Sequence, residues 1–369
     1  MIRKERIGLT TEIMDKKEII IVTETMGIDG PERVVSELTK QWIKDGHSVS
    51  LILTRAGKQE VTYHISEETE VLYVDAYNRG GKLARVKEAI AVRNIIKQRP
   101  NAVCVSLMIS TSFSLAIAAI GLKNRVILSE RNDPHRVPFT KFQRKMRDLS
   151  LSLADACVFQ TEDAKEYFSK RIQKKGVIIY NPVNQELPER FTGERKKEIV
   201  AAGRLNKQKN FPLLMEAFAR LHNEFPDYIL SIYGEGSERD SLEQLARYRG
   251  VEDAVKMPGF EKNLYQKMVD CACYVSSSDY EGMSNSMLEA LAMGIPTVCT
   301  DCPIGGARTV IRDAVNGLLV PVGDADRMYE AIKRIISENA LSAALSENAY
   351  LLREQLRVER IASQWAELF

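Results

Sequence analysis

The sequence predicts an α/β protein with two parallel β-sheets and helices on both faces of each sheet. Two observations support this. Short apolar strands alternate with amphipathic helices along most of the chain, as expected for parallel sheets. The 369 residues are also many for a single core and suit two domains of ordinary size. A polar stretch from Asn181-Pro182-Val183 to Lys197 interrupts the alternation once, so we expect one domain on each side of it.

The first half of the chain contains runs of branched apolar residues separated by segments with helical spacing of apolar residues. The expected elements are strands at 18–23, 49–54, 70–74, 102–107, 125–128, 156–160 and 176–180, and helices at 31–44, 82–98, 111–120 and 138–153.

The second half repeats the pattern. The expected elements are strands at 198–202, 228–233, 255–257, 272–276 and 297–300, and helices at 211–225, 238–248, 285–293 and 327–336. The last segment has the periodicity of one helix and carries Trp365. One interpretation is that this helix crosses back and packs on the N-terminal domain. The expected units are therefore an N-terminal domain (1–182), a linker (183–197), a C-terminal domain (198–352) and a C-terminal helix (353–369).

Charge divides unevenly between the halves. Residues 1–190 hold 31 Lys and Arg against 24 Asp and Glu, a net charge of +7, whereas the remainder has a net charge of −5. The excess is concentrated in two amphipathic segments, 79–99 and 138–153, the second of which carries Lys141, Arg144, Lys145 and Arg147. Such segments can lie on anionic lipid, but we favour the alternative that they are solvated faces of ordinary helices. Nucleic acid is not expected, because no basic cluster is interleaved with exposed aromatic residues.

Several classes of protein are disfavoured. No apolar stretch reaches the roughly 18–20 residues that a membrane span needs, and residues 1–17 lack the apolar core of a secretory signal. The six cysteines lie mostly in strand-like runs, and Cys271-Ala-Cys273 has no second pair of ligands that would complete a zinc site. We therefore expect a cytoplasmic protein with reduced thiols.

Two glutamates with seven residues between them, Glu281 and Glu289, are the strongest candidates for a site. Glu281 follows a strand in a Ser/Asp/Gly loop, and Glu289 lies on the predicted helix that follows. The start of that helix offers unpaired N–H groups to an anion. A bound phosphate flanked by carboxylates that accept hydrogen bonds from hydroxyl groups is the arrangement expected for a sugar nucleotide. The alternative is that both are solvated surface glutamates.

Two further loops follow strands of the second half. Gly203-Arg204 and Lys209 place a glycine and two cations between a strand and a helix, where arginine can grip phosphate bidentately and lysine acts as a point charge. The non-functional alternative is a surface loop whose lysines are solvated. Tyr233-Gly234-Glu235-Gly236 is weaker, since turn geometry alone can require its glycines.

In the first half, the loop 27–33 follows the first strand and has Pro31 in the first turn of a helix. It does not match the dinucleotide fingerprint Gly-x-Gly-x-x-Gly. The polar run from Ser129 to His135 follows another strand and is typical of a substrate loop, although a lone loop histidine is commonly incidental.

Taken together, these motifs resemble the retaining GT-B glycosyltransferases of family 4, and the resemblance spans nearly the whole chain. It rests on Gly30-Pro-Glu-Arg33, Gly203-Arg204-Leu205 with Lys209, Tyr233-Gly-Glu-Gly236 and Glu281-x7-Glu289, in this order. The Ser-Glu-Arg-Asn-Asp-Pro run and residues 301–306 resemble members that build bacterial exopolysaccharide, capsule or O-antigen. The implied fold is GT-B, two Rossmann-like domains facing a deep cleft.

The resemblance also implies roles for individual residues. Arg204 and Lys209 would bind the donor diphosphate, Glu289 the ribose hydroxyls, and Glu281 the donor sugar; the expected catalytic residues are Glu281, Arg204 and Lys209. The expected donor site comprises Gly30, Gly203, Arg204, Lys209, Gly234, Phe260, Leu264, Glu281, Met283, Ser284, Asn285 and Glu289, with Phe260 and Leu264 beside the base.

The acceptor side departs from the family pattern. Asp29 stands where a glycine is common, and the family's strand-end histidine is absent from Ser129 to Asn132, so its role is not transferred to His135. The acceptor-side candidates are Asp29, Glu130, Arg131 and Asn132.

The implied reaction moves a hexosyl or N-acetylhexosaminyl unit from a nucleoside diphosphate sugar, with UDP the expected nucleotide, to a glycan or lipid-linked oligosaccharide. We expect retention of configuration, no cofactor and no metal. The membrane alternative for the two basic segments would place the protein at the inner face of the cell membrane, in peripheral contact with it. Asp324-Ala-Asp326 mimics a metal motif, but it precedes a predicted helix, where Asp is an ordinary N-cap. The alternatives are a sugar-nucleotide epimerase or phosphorylase, and a catalytically silent scaffold subunit.

Overall fold

A computed structural model describes residues 16–27, 30–55, 65–74 and 84–369. Two parallel sheets dominate it, one of seven strands and one of six. This confirms the predicted α/β class with two parallel sheets. Across the described residues, no helix combines the length and the apolar composition that crossing a bilayer requires.

The first sheet has the strand order β3-β2-β1-β4-β5-β6-β7, with every pair parallel. Its central strands are buried on both faces, as their runs of Ile and Val require. The elements of this half are β1 Glu18–Thr23, α1 Gly30–Lys44, β2 Ser48–Leu53, β3 Glu70–Tyr73, α2 Ala84–Ile96, β4 Val103–Ser106, α3 Ile109–Ala118, β5 Arg125–Glu130, α4 Lys141–Leu153, β6 Ala156–Phe159, α5 Glu162–Glu166, α6 Lys170–Gln173 and β7 Gly176–Ile178.

The second sheet has the order β10-β9-β8-β11-β12-β13, again with every pair parallel. A single 3₁₀ turn, Lys207–Lys209, follows β8. The elements are β8 Lys196–Ala202, α7 Phe211–Glu224, β9 Ile229–Tyr233, α8 Arg239–Arg249, β10 Val255–Gly259, α9 Leu264–Met268, β11 Cys271–Ser276, α10 Asn285–Ala292, β12 Thr297–Thr300, α11 Gly306–Val310, β13 Leu318–Val320, α12 Ala325–Ser337, α13 Asn339–Tyr350, α14 Leu352–Gln355 and α15 Val358–Ala366.

In each sheet the strand order reverses once, between β1 and β4 and between β8 and β11. Loops that follow the two strands at such a reversal diverge and leave a crevice at the carboxyl edge of the sheet. The loops after β8 and β11 carry Gly203, Lys209 and Glu281. The topology therefore places the predicted donor residues at the crevice of the second sheet. All six cysteines are buried and free, as expected.

Some predicted bounds were wrong. Strand β5 extends two residues further, to Glu130, and α4 begins at Lys141 because Thr140 caps it in a capping box with Gln143. Strand β8 begins at Lys196, inside the expected linker. The domain bounds themselves stay predictions.

The expected single C-terminal helix is in fact two helices, α14 and α15, separated by Leu356 and Arg357. Leu356 is buried in the core of the second half, whereas Trp365 is buried in the core of the first half against α1. The chain therefore has to turn between these two anchors. Trp42 of α1 donates from Nε1 to the carbonyl oxygen of Ala362 (3.2 Å), and its ring lies edge-on to that of Trp365, with 6.3 Å between the centroids.

We expect Trp365→Ala to lower the free energy of unfolding by about 3–5 kcal/mol, the usual cost of removing a fully buried tryptophan. Chemical denaturation followed by circular dichroism measures this change. Tyr248, an exposed aromatic residue on α8, supplies the control: Tyr248→Ala should stay within about 0.5 kcal/mol of the parent. Equal effects of the two substitutions would contradict the anchoring role of Trp365.

Candidate active site

The loop between β11 and α10, residues 277–284, lies against the first half of the chain. Gly282 shows how close the approach is, because a Cβ atom there would lie 2.2 Å from the carbonyl oxygen of Arg131. Only glycine fits in this space. The predicted donor loop is therefore in backbone contact with residues that follow β5 of the opposite sheet.

Glu281 is held by three donors. Lys209 Nζ lies 2.6 Å from Oε2, the Ser278 hydroxyl donates to the same oxygen (3.3 Å), and Gln208 Nε2 donates to Oε1 (3.3 Å). The side chains of Lys209 and Glu281 are both mostly buried. Glu281 is thus an ion-paired carboxylate at the carboxyl edge of the second sheet, which excludes the solvated alternative for this residue.

Glu289 is also not a surface glutamate, since it is buried on α10. Its Oε1 lies 3.0 Å from Arg33 Nη2 of α1 and accepts from the Tyr265 hydroxyl at 3.0 Å. Burial raises the pKa of the Glu289 carboxyl, and the charge of Arg33 acts in the opposite direction. The predicted ribose ligand is therefore paired with a cation from the other half of the chain.

The loop after β8 is shaped by two asparagines. The side chain of Asn206 accepts from the backbone N–H of Lys209 (3.2 Å), which closes the 3₁₀ turn. Asn210, in the left-handed conformation, caps α7 and donates from Nδ2 to Asp279 (2.6 Å). These bonds fix Lys209 beside the Glu281 loop, while the side chain of Arg204 is exposed.

The glycine at 234 is required by packing as well as by backbone conformation. Its φ is +135°, and a Cβ atom there would lie 2.0 Å from the carbonyl oxygen of Gly203. The loops after β8 and β9 therefore touch through their backbones. This contact supports the interpretation of Gly234 as a close-approach glycine at the crevice.

Met283, Ser284 and Asn285 lie at the start of α10, and the first and last of them are hydrogen-bonded to the first half. The backbone N–H of Met283 donates to Gln160 Oε1 (3.1 Å), and Asn181 Nδ2 donates to Asn285 Oδ1 (2.6 Å). Asn285 Nδ2 in turn donates to the carbonyl oxygen of Gly30 (3.0 Å). An oxygen of the donor substrate that accepts from the Met283 N–H would have to replace Gln160 Oε1.

The residues expected beside the base differ in exposure. Phe260 directly follows β10 and is exposed, whereas Leu264 begins α9 and is half-buried. An exposed aromatic ring at the carboxyl end of a strand is suited to stacking on a planar ligand.

The predicted loop position of the acceptor-side candidate Glu130 was wrong, whereas its role stays a prediction. It is the last residue of β5 and is buried, so it does not lie in an open loop; its Oε2 is 3.7 Å from Arg147 Nη1, and burial raises its pKa to about 7. The backbone N–H of Asn132 donates to Glu130 Oε1 (3.1 Å). Burial lowers the pKa of Arg131 to about 9, and its guanidinium donates to Asn181. Asp29 lies outside the described residues.

Sequence reasoning missed Arg33, Gln160, Asn181 and Tyr265. Gln160 directly follows β6, and the rule used for the other loops, that polar residues after parallel strands meet at one edge, applies to it as well. Asn181 was visible only as the start of the break between the halves. Arg33 was visible only as the end of the Gly30–Arg33 motif, with no role assigned to it. Tyr265 had no local signal, since its partner Glu289 is far away in sequence.

The Asp-x-Asp segment is an N-cap, as predicted. Asp324 Oδ1 accepts from the backbone N–H of Arg327 (2.8 Å), and Asp326 pairs with Arg220 of α7. Among the described residues, no group of three or more His, Cys, Asp or Glu side chains is arranged to hold a metal ion.

Both halves of the chain match models of known protein families. Residues 28–187 match glycosyltransferase family 4, and residues 184–352 match glycosyl transferases group 1.

Two curated relatives from Campylobacter jejuni subsp. jejuni are similar to the chain. One, an N-acetylgalactosamine-N,N'-diacetylbacillosaminyl-diphospho-undecaprenol 4-alpha-N-acetylgalactosaminyltransferase, is 32% identical over 269 residues, 67% of this chain and 72% of the relative. The other, a GalNAc-alpha-(1->4)-GalNAc-alpha-(1->3)-diNAcBac-PP-undecaprenol alpha-1,4-N-acetyl-D-galactosaminyltransferase, is 26% identical over 361 residues, 95% of this chain and 98% of the relative.

Solved structures share the fold at low identity. Sucrose-phosphate synthase from Thermosynechococcus elongatus superimposes with a TM-score of 0.83 at 17% identity, covering 96% of this chain and 98% of its own. A Staphylococcus aureus TarM mutant bound to Fondaparinux, alpha-GlcNAc-glycerol and UDP gives 0.81 at 13% identity, covering 95% and 99%. The chain belongs to glycosyltransferase family 4 and is a glycosyltransferase with the GT-B fold.

Proposed function

We propose that the protein transfers a hexosyl or N-acetylhexosaminyl unit from a UDP-sugar to a hydroxyl of a lipid-linked glycan, with retention of anomeric configuration. The observation that carries the proposal is the Lys209–Glu281 pair, which joins the loops after β8 and β11 at the crevice. The names of the two Campylobacter relatives, which specify undecaprenol-linked acceptors, support the acceptor class. UDP in the TarM complex and in an Anabaena HepE complex supports the nucleotide.

The donor diphosphate would lie over the loop that contains Gly203, Arg204 and Lys209. Two cations and the N–H groups at the start of α10 can stabilise the charge that develops on the leaving diphosphate. Cations supplied by the protein make a bound metal unnecessary, so we propose a metal-independent reaction without a cofactor.

In the proposed reaction, the bond from the sugar C1 to the diphosphate oxygen breaks while the acceptor oxygen bonds to C1 on the same face. The acceptor's proton passes to an oxygen of the departing β-phosphate. Glu281 orients the sugar and stabilises its positive charge. A covalent step through Glu281 is disfavoured, since Lys209, Ser278 and Gln208 occupy its oxygens and reduce their nucleophilicity.

The test supplies UDP-N-acetylgalactosamine and UDP-glucose with a synthetic polyprenyl-diphosphate disaccharide in excess EDTA. We expect a product with the donor's anomeric configuration by NMR and full activity in EDTA. Glu281→Gln should lower the rate by about a hundredfold or more, as loss of a charge-stabilising group does. Glu330→Gln, which changes an exposed carboxylate on α12, is the matched control and should keep the parent rate.

Other outcomes would favour the rivals. Trapping of a glycosylated Glu281 would replace the front-face mechanism with double displacement, and a metal requirement would contradict direct neutralisation by Arg204 and Lys209. Formation of an epimeric UDP-sugar in the absence of acceptor would support the epimerase. Release of a sugar phosphate when glycan and inorganic phosphate are supplied would support the phosphorylase. Parent-level polymer synthesis by Glu281→Gln in cells would support the silent scaffold.

We further propose that the first half binds an anionic membrane through an apolar–basic face on α2, α3 and α4. Phe139, just before α4, and Phe142, on α4, are 74% and 71% exposed, whereas a solvated face of an ordinary helix would be polar. Helix α3 contacts both α2 and α4, so the three helices form one surface. The members of this face are Val86, Ile90, Ile120, Phe139, Phe142, Leu149 and Leu153, with Lys87, Lys141, Arg144 and Lys145 among them.

Such a face suits an anionic bilayer because the aromatic rings enter the interface and each basic residue adds about 1 kcal/mol near it. Arg147 is an exception to the expected basic face. Its side chain is buried, stacked 5.0 Å from the centroid of the Tyr167 ring and paired with Asp148. Helix α4 therefore presents Lys141 and Lys145 outward and Arg147 inward, whereas Arg144 is half-buried and donates to the carbonyl oxygens of Pro138 and Phe139.

We expect the double substitution Phe139→Ser/Phe142→Ser to weaken binding to phosphatidylcholine vesicles containing phosphatidylglycerol by about tenfold or more, since each buried ring contributes about 1.5–3 kcal/mol. Co-sedimentation with vesicles measures the change. The control is Tyr248→Ser, which removes an exposed ring from α8 of the second half. Unchanged co-sedimentation of the double variant, or equal binding to vesicles of phosphatidylcholine alone, would rule out this membrane contact.

A further inference from the structure

The buried carboxylate of Glu289 is shared between the two halves of the chain. Glu289 lies on α10 of the second half, and Arg33, its ion-pair partner, lies on α1 of the first half with 6% side-chain exposure. Arg33 Nη2 also donates to the carbonyl oxygen of Pro182, at the break between the halves (3.4 Å). The guanidinium is therefore anchored on the first half while it holds a residue of the second.

The geometry leaves one side of this carboxylate for a ligand. Arg33 and the Tyr265 hydroxyl both approach Oε1, each at 3.0 Å. Among the residues that the structure describes, none donates a hydrogen bond to Oε2 of Glu289. An ionised carboxylate accepts only, so its second oxygen is suited to the hydroxyls of a sugar ring.

We propose that Arg33 is a positioning residue for recognition of the nucleotide's ribose: it fixes Glu289 in its ionised, accepting form with Oε2 directed to the ligand. The proposal rests on the proposed function, in which Glu289 accepts from the ribose hydroxyls. It adds that nucleotide recognition by the second half requires a cation supplied by the first half.

The charges around Glu289 explain why a cation is needed there. Burial disfavours the ionised carboxyl and raises its pKa, and the pKa is lowered by Arg33 first and by the Tyr265 hydroxyl second. Glu37, also on α1, raises it. Among the residues that the structure describes, a further titratable neighbour is Tyr274 of β11, whose own pKa is raised by burial and, more weakly, by Glu289. Arg33 is the cation that offsets burial at this site.

The test compares binding of UDP and of 2′,3′-dideoxy-UDP, which lacks both ribose hydroxyls, by titration calorimetry. The parent should prefer UDP. In Arg33→Met that preference should fall by about tenfold or more, the usual value of a hydrogen bond to a charged group, while affinity for dideoxy-UDP changes little. Arg33→Lys keeps the charge and should retain part of the preference.

The pH dependence gives a second readout. Removal of Arg33 raises the pKa of Glu289 further, so at a given pH a larger fraction of its carboxyl is protonated. The UDP affinity of Arg33→Met should therefore increase with rising pH more steeply than that of the parent. Its affinity for dideoxy-UDP should not follow this rise.

Arg308→Met is the matched control, because Arg308 on α11 makes a different contact between the halves, with its Nη1 3.6 Å from Asp163 Oδ2. It should keep the preference for UDP. Equal loss of both nucleotides in Arg33→Met, without pH dependence, would overturn the proposal and leave Arg33 a purely structural residue.

A different outcome would identify failure of the proposed function itself. If the parent and Glu289→Gln bind UDP and dideoxy-UDP alike, Glu289 does not contact ribose, whatever Arg33 does. If Glu289→Gln loses the preference and Arg33→Met at neutral pH does not, the ribose contact stands and the role of Arg33 is refuted. Circular dichroism and the thermal midpoint confirm that each variant is folded.

Discussion

The buried ion pair of Glu289 and Arg33 joins the two halves and is the interaction that links their arrangement to ligand recognition. Moving each charge out of water costs several kcal/mol, and the attraction between the two charges offsets this cost with little net gain in stability. A hydrophobic pair of similar volume would hold the halves together at least as well. The presence of charge at this point is therefore better explained by the proposed recognition of a polar ligand than by stability. Gln160 and Asn285 make further hydrogen bonds between the halves.

Much of the fold could be predicted because parallel sheets give local signals. The strand at 297–300 agrees with the structure at both ends, since a run of branched residues is bounded by a proline and by polar residues. The short elements β13 and α11 escaped prediction because three to five residues carry too little periodicity. The break between α14 and α15 escaped because Leu356 keeps the helical spacing, and only its burial in a different core from that of Trp365 forces the turn.

The residues of the candidate site were also predictable only where the signal was local. Gly203, Lys209, Glu281 and Glu289 could be found because each lies in a local motif after a strand. Their partners from the first half could not, because periodicity reports nothing about contacts between residues as distant as Gln160 and Met283. Glu130 was placed wrongly for a related reason: a polar residue that ends a strand resembles the start of a loop, and only the inward-facing Arg147 explains why it is buried.

Arg147 also links the proposed membrane face to the cleft. Its Nη1 donates to the carbonyl oxygens of Pro134 and Val137 and lies near Glu130, so α4 supports the segment that follows β5. The opposite side of the same helix carries Phe142 and the exposed basic residues. Because one helix contributes to both surfaces, a bilayer bound at α4 would hold the acceptor-side candidates that follow β5 at a fixed height above the lipid. In the proposed function, a lipid-linked acceptor would then reach the donor from the membrane side.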